Sequence, residues 1–207
     1  MPNTNGKFIV LDGGEGCGKT TQTRMLAAVL TARGLNVLTV RDPGATHIGE
    51  QIRQILLNPE QSEMGMRCEM LLYMAARAQL MTQTILPALA GGQLVICDRF
   101  ISSTLSYQLG GEGLTAQEIY TVADVAIQRR RPDLTIILDI PVHDSDGRLN
   151  RPKDRIERRP REYHETVRRN FLELAKTDPA RYHVVDAGRD AQAVHVDVLN
   201  AVLQWAS

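Results

Sequence analysis

The sequence predicts an α/β fold, a parallel sheet with helices on both faces, and three observations carry that expectation. Short apolar runs alternate with longer stretches of helical periodicity from one end of the chain to the other, as strand–helix–strand crossovers require. The first run, Phe8–Leu11, is continuously apolar, the pattern of a strand buried on both faces. Three of the runs are followed by turn-forming or charged residues: Gly13–Thr20, Asp42-Pro43-Gly44 and Asp98-Arg99. In a parallel sheet such segments gather at the carboxyl edge, where ligands bind.

Taken in order, Lys7–Asp12 reads as a buried strand. Gly18–Arg33 reads as a helix, with Met25, Leu26, Val29 and Leu30 on one face and Gly34 at its C-cap. Asn36–Arg41 is a second strand, and Asp42-Pro43-Gly44 turns the chain. Thr46–Leu57 is a short helix ended by Asn58-Pro59, with a polar loop over 60–66. Cys68–Leu89 is a long helix whose Met70, Met74, Ala78, Met81 and Ile85 form a core-facing stripe. Glu69, Tyr73 and Arg77 form another stripe, each one turn apart, before Gly91-Gly92 breaks the helix. Gln93–Asp98 is a third strand, Thr115–Arg131 a helix stopped by Pro132, and Leu134–Asp139 a fourth strand. Pro141–Pro160 is polar, basic and irregular. Arg161–Lys176 is helical, Tyr182–Asp186 a fifth strand and Ala191–Trp205 a closing helix.

The chain has 207 residues, 43% hydrophobic and 23% charged, which suits one globular domain over 1–207. Its formal net charge is zero, so no global field draws it to nucleic acid or to anionic lipid. Met1–Lys7 is short and polar, and no apolar run is long enough to span a bilayer. No secretory signal and no membrane partner are expected. Cys17, Cys68 and Cys97 are widely spaced without a CxxC pair, which favours reduced thiols in a cytoplasm over disulfides or zinc.

Chemistry is written most densely over Gly13–Thr20, Gly-Gly-Glu-Gly-Cys-Gly-Lys-Thr, which fits the phosphate-binding loop G-x-x-x-x-G-K-[ST]. A phosphate chain needs several backbone N–H groups aimed at one point, and glycine reaches those backbone angles at least cost. The following helix start adds N–H donors and a positive dipole end. Lys19 supplies a mobile cation for the β- and γ-phosphates, and Thr20 a hydroxyl for Mg²⁺. Cys17 reads as a small residue tolerated in the loop, not as a nucleophile.

Asp98 ends an apolar strand, where a second Mg²⁺-associated carboxylate sits in such proteins; the plainer reading is a cap. Arg99 either neutralises an acceptor phosphate or forms a surface salt bridge. Asp42 either holds a metal-bound water or substrate hydroxyl, or simply initiates a turn. Tyr73 and Arg77, one turn apart, can stack on a base and reach a carbonyl or phosphate. Ser103-Thr104-Leu105-Ser106-Tyr107-Gln108 offers hydroxyls and an amide just past Arg99. Nine basic and four acidic residues lie between Arg148 and Arg169. They read as a nucleic-acid patch, a solvated helix face with ion pairs, or a mobile lid carrying arginines over the γ-phosphate. Position after the fourth strand favours the lid for Arg148–Arg155.

Taken together these residues resemble the thymidylate kinases, P-loop nucleoside-monophosphate kinases, from Phe8 to about Trp205. The carriers are Phe8–Thr21, Arg41-Asp42-Pro43-Gly44-Ala45-Thr46 with Ile48-Gly49-Glu50, Leu71-Leu72-Tyr73 with Ala75-Ala76-Arg77-Ala78-Gln79-Leu80, Asp98-Arg99-Phe100 with Tyr107-Gln108, Pro132-Asp133-Leu134, and Asp154-Arg155-Ile156-Glu157. The resemblance implies a three-layer P-loop NTPase fold with a five-stranded parallel sheet, a short lid over roughly 141–160, ATP and Mg²⁺, transfer of the γ-phosphoryl to dTMP, and a homodimer. By position it implies nucleotide binding at Gly13, Gly14, Glu15, Gly16, Cys17, Gly18, Lys19, Thr20, Thr21 and Arg155, and metal binding at Thr20 and Asp98. Tyr73 would stack on thymine and Arg77 contact the base or its phosphate. Arg53 and Arg99 would hold the acceptor phosphate, with Asp42, Ser103, Tyr107 and Gln108 completing the pocket. Tyr107 would crowd a 2′-hydroxyl. Glu15 matches the branch that draws its catalytic arginines from the lid, here Arg148, Arg151 and Arg155. Catalysis would rest on Lys19, Arg99, Arg148, Arg151 and Asp42.

Asp42 and Ala45 stand where the family usually has Glu and Gly, and Ala76 where Asp is common before Arg77, which removes an orienting partner. Ser102 replaces a frequent Asp, Glu112 a frequent Arg, and the lid is compressed and holds Pro152. Competing readings are a kinase for another monophosphate or a deoxynucleoside, and a nucleotide-dependent nucleic-acid switch. The zero net charge and absence of an aromatic-rich basic face weigh against the switch. No Asn-Lys-x-Asp guanine-reading motif is present, which weighs against a GTPase.

Overall fold

The five apolar runs assemble into one parallel sheet in the order β2-β3-β1-β4-β5. Its strands are β1 Phe8–Gly13, β2 Val37–Arg41, β3 Leu94–Asp98, β4 Leu134–Asp139 and β5 Tyr182–Asp186. The structure is a computed structural model, described over residues 6–148 and 152–206. β1 lies in the centre and is buried along its whole length, which is why Phe8–Leu11 are continuously apolar. It pairs with β3 through Leu11↔Asp98 and with β4 through Gly13↔Leu138.

The side-chain alternation of β1 divides the core between the two faces. Ile9 and Leu11 point to helices α1 (Lys19–Ala32) and α9 (Ala191–Trp205), packing with Leu26, Leu30, Val194 and Val198. Phe8 and Val10 point to α3 (Met66–Leu80), α5 (Ile101–Gln108) and α6 (Ala116–Ala126), packing with Met70, Met74, Phe100, Leu105 and Ile119. Each such side chain, fully withdrawn from water, stabilises the fold by about 1.5–3 kcal/mol before entropy is counted.

Helix α2 (His47–Leu57) begins at Thr46, whose hydroxyl accepts from Gly49 N, an ordinary N-cap. The expected long helix over 68–89 is present and starts earlier, at Met66. It runs through a π-helical segment, Met81–Ile85, into a last turn, α4 (Leu86–Ala90), that carries Pro87. The insertion fits the missing N–H of Pro87, which cannot continue a regular ladder. Helix α3 has no cap of its own: Glu112, from a distant loop, accepts from Met66 N and Arg67 N. A carboxylate there complements the positive end of the helix.

Three boundaries differ from expectation. Helix α5 occupies a stretch read only as a row of polar groups, because its Ser, Thr and Tyr residues have middling helix propensity and gain their stability from burial. Helix α6 stops at Ala126 instead of running to Arg131, since Gln128 and Arg129 take left-handed φ of 50° and 58°. The segment after β4 contains a short helix, α7 (Val142–Ser145), before helix α8 (Arg161–Thr177).

Candidate active site

The carboxyl ends of β1, β2 and β3 come together as the parallel sheet demands. Asp42 N donates to Asp98 O at 3.0 Å, and Thr20 Oγ1 donates to Asp98 Oδ2 at 2.6 Å. The glycine loop and the Asp98-Arg99 pair therefore share one crevice, although 78 positions separate Thr20 from Asp98.

The loop is built on left-handed glycines, with φ of 67° at Gly16 and 91° at Gly18, angles that strain a residue with a Cβ. A side chain at Gly13 would lie 2.4 Å from Leu138 O, and one at Gly16 2.7 Å from Ser145 O, so β4 and α7 press directly on the loop. Open space lies beyond Gly14 and Gly18. Helix α1 starts at Lys19 with no side-chain cap, leaving its first N–H groups, Thr21 among them, for an anion. Lys19 is nearly buried and folds back, donating to Gly14 O at 2.6 Å and Gly13 O at 3.2 Å, with Cys17 Sγ at 3.4 Å. Cys17 itself is a buried packing residue.

Beside the loop lies a cleft of about 560 Å³, open solvent included. The sequence-predicted residues Glu15, Asp42, Arg53, Tyr73, Arg77, Arg99, Ser103, Tyr107 and Gln108 all line it. Arg99 sits at its mouth in a left-handed conformation, φ 68°. Its guanidinium pairs with Glu15 at 2.8 Å, donates to Gly13 O and Ser103 Oγ, both at 3.1 Å, and lies over the Tyr107 ring. Burial opposes its charge, but Glu15, Tyr107 and Asp12 reverse that and raise its pKa. For Glu15, burial pulls toward the neutral acid; Arg99, Lys19 and the Tyr107 hydroxyl outweigh it and lower its pKa to about 2.

Arg77 is almost wholly buried and tightly held. It pairs with Asp42 and donates to Thr104 Oγ1 and Phe100 O, at 3.0 and 3.1 Å. Asp42 thus supplies the orienting carboxylate that Ala76 lacks. Its second oxygen, Oδ1, is buried without a partner, and burial raises its pKa against the pull of Arg77. Arg53 donates to Pro43 O at 3.1 Å, and Ser103 donates to Asp12 Oδ1 at 2.7 Å.

The arginines expected in a lid lie elsewhere. Arg148 donates to Ala187 O and Gly188 O, just past β5. Arg155 donates to Leu56 O at the end of α2 and pairs with Glu69 of α3. Arg151 falls outside the described residues. Arg168 grips Asp139 through two bonds, at 2.7 and 2.8 Å.

The family model described as Thymidylate kinase matches residues 11–198. The chain belongs to the thymidylate kinase family. Among its relatives are the thymidylate kinases of Pelotomaculum thermopropionicum, 45% identical over 95% of this chain and 92% of that one, and of Pseudomonas syringae pv. syringae, 42% identical over 96% and 97%. The crystal structure of thymidylate kinase from Ehrlichia chaffeensis superposes with a TM-score of 0.77 at 32% identity, covering 95% of this chain and 98% of that one. The enzyme is a kinase that phosphorylates dTMP from ATP; nothing favours another monophosphate or a free deoxynucleoside as acceptor.

Sequence reasoning missed two members of this kinase's site. Asp12, fully buried at the end of β1, accepts from Ser102 and Ser103 hydroxyls and from Gly13 N. A lone carboxylate closing an apolar strand was its only signal. Glu69, one turn before Tyr73 on the same stripe, is equally buried and accepts from Gln108, Arg155 and Arg159. Among the described residues no cluster of His, Cys, Asp and Glu could hold a metal by itself, and no helix is long and apolar enough to cross a membrane.

The depressed pKa of Glu15 sets a pH test. A carboxyl that titrates near 2 when folded and 4.5 when unfolded contributes stability above pH 4.5, and that contribution is lost as pH falls toward 2. The wild type should exceed Glu15→Gln in unfolding free energy by about 3 kcal/mol near neutrality. Urea titrations of both proteins should show the gap narrowing by more than half between about pH 5 and pH 3. A gap independent of pH would deny the pairing.

Proposed function

We propose that dTMP occupies the cavity beside the glycine loop and that ATP lies along Gly13–Thr21, with Lys19 on its β- and γ-phosphates. The observation that carries this reading is the shared crevice: loop, Asp98 and Arg99 meet across hydrogen-bond distances. An oxygen of the acceptor phosphate attacks the γ-phosphorus of ATP, the bond from that phosphorus to the β–γ bridging oxygen breaks, and ADP departs as dTDP forms. Arg99 and Arg53 hold the acceptor phosphate. Tyr73 stacks on the base, and Arg77, Gln108 and Tyr107 shape the pocket around base and sugar.

Thr20 and Asp98 suit Mg²⁺: both offer hard oxygen donors at the head of α1, 2.6 Å apart. The ion, when bound, neutralises charge on the β- and γ-oxygens. The chain's own contribution is Lys19, which must leave the Gly13 and Gly14 carbonyls to meet the nucleotide. Asp42, with Oδ1 unpartnered at the cavity wall, orients Arg77 and meets a donor of the acceptor. Arg148 and Arg151 act on the transferring phosphoryl once Arg148 leaves the Ala187 and Gly188 carbonyls. Arg155, expected at the nucleotide, would likewise have to leave Leu56 O and Glu69, which hold its Nε and Nη2.

We further read the enzyme as a cytoplasmic homodimer. Free Cys17, Cys68 and Cys97 support the compartment. Exposed Ile48 and Ile55, two turns apart on α2, and Leu71 on the adjoining α3 support an interface.

Lys19→Ala should cut kcat at least about 10³-fold while the protein stays folded by circular dichroism; near-normal turnover would remove its role. Steady-state kinetics on Arg148→Ala and Arg151→Ala should show kcat falling further than the KM for dTMP rises, since both act in the transition state. An effect on dTMP affinity alone would reassign them. Light scattering should give twice the chain mass, and Leu71→Asp should shift it toward the monomer.

A further inference from the structure

We propose that Glu69 is a positioning residue that fixes the side-chain amide of Gln108, and through it decides which pyrimidine edge the pocket accepts. The inference rests on the acceptor reading above, and the geometry is specific. Gln108 is 1% exposed, lines the acceptor cavity, and donates from Nε2 to Glu69 Oε1 at 2.8 Å. An amide can present either its N–H₂ or its carbonyl, and only its partners fix the choice. Glu69 leaves no choice. As a carboxylate it only accepts, and its other oxygen receives Arg155 and Arg159, the latter at 2.7 Å. Two guanidiniums hold it in place, inside a protein interior where it is 0% exposed.

With Nε2 turned to Glu69, the atom Gln108 offers the ligand is Oε1, an acceptor. It satisfies a ring N–H, as thymine and uracil carry at N3. It repels the bare N3 lone pair of a cytosine, leaving two acceptors face to face in a buried site. Such an unpaired contact discriminates far more strongly than a missing methyl group. Were Gln108 free to turn over, its N–H₂ would suit cytosine equally well. Specificity would then reside in a carboxylate that touches the reading residue and not the base.

The Glu69 cluster adds a second consequence. Arg155 and Arg159 stand at the root of the lid, and the neighbouring Asp154, Ile156 and Glu157 line the same cavity. One buried anion therefore keeps the amide and the lid root in register.

The test compares dTMP with 5-methyl-dCMP, which keeps the C5 methyl and the deoxyribose phosphate and changes only the N3–C4 edge. For the wild type, Glu69→Gln, Glu69→Leu and Gln108→Leu, kcat/KM is measured with each acceptor. The expected result is that the dTMP/5-methyl-dCMP ratio falls at least about tenfold in Glu69→Leu. Glu69→Gln, whose own N–H₂ can donate to a turned Gln108, lowers the ratio in the same direction. It carries the test if Glu69→Leu, with two arginines left unpaired, does not fold. In a Gln108→Leu background, Glu69→Gln leaves the ratio unchanged. A wild type active on dTMP whose ratio is unmoved in a folded Glu69 variant overturns the inference alone, as does a Glu69 effect that persists without Gln108. A wild type inactive on dTMP overturns the acceptor reading and this inference together.

Discussion

The site depends on one buried carboxylate at the end of the central strand. Asp12 is fully withdrawn from solvent, and a charge so placed is tolerated only when its oxygens are fully satisfied. Its partners come from both sides of the crevice: Gly13 N at the start of the phosphate loop, and the Ser102 and Ser103 hydroxyls at the start of α5. Arg99 stands between them, with Asp12 3.8 Å from its guanidinium. The glycine loop and helix α5 are thus fastened to the same carboxylate. Their separation is set by a strand in the middle of the sheet, the most rigid element available, and in-line transfer between two bound molecules needs such a fixed distance.

The same logic accounts for most positions where this chain leaves its family's pattern. Ser102 is short, and a short hydroxyl reaches Asp12 at 2.6 Å without a second buried charge beside it. Ala76 costs Arg77 nothing, because Asp42 meets the guanidinium from the next strand over. Glu112 caps α3 and places an anion at its positive end. These contacts draw the partners of Asp12, Arg77 and the α3 terminus from different segments of the chain.

Much of this was legible in the residues. The strands were short, mostly apolar runs, and a parallel sheet with its loops at one edge follows from strands alternating with helices. The glycine loop, Asp42-Pro43-Gly44 and Asp98-Arg99 could be placed together on that argument alone; the Tyr73–Arg77 stripe joined them through the family resemblance. What the sequence hid shares a physical cause: it depends on which distant groups face each other. Helix α5 is stabilised by burial that no local periodicity shows. Glu69 read only as a member of the Tyr73–Arg77 stripe, yet three donors from two other segments surround it. Arg148 and Arg155 could be assigned to a lid, but not to their present partners, the carbonyls past β5 and the end of α2.

The contact between Gly16 and α7 has a consequence for sequence variation. In G-x-x-x-x-G-K-[ST] the fourth position is one of four left open, and by that pattern any side chain is admissible there. In this molecule a β-carbon at Gly16 would meet a carbonyl oxygen of Ser145 at 2.7 Å, on a backbone already in the left-handed region. The freedom the motif grants is withdrawn by a segment more than a hundred residues away. Homologous exchange at this position should be tolerated only alongside a changed or shortened stretch after β4, so that two remote sites drift as a pair.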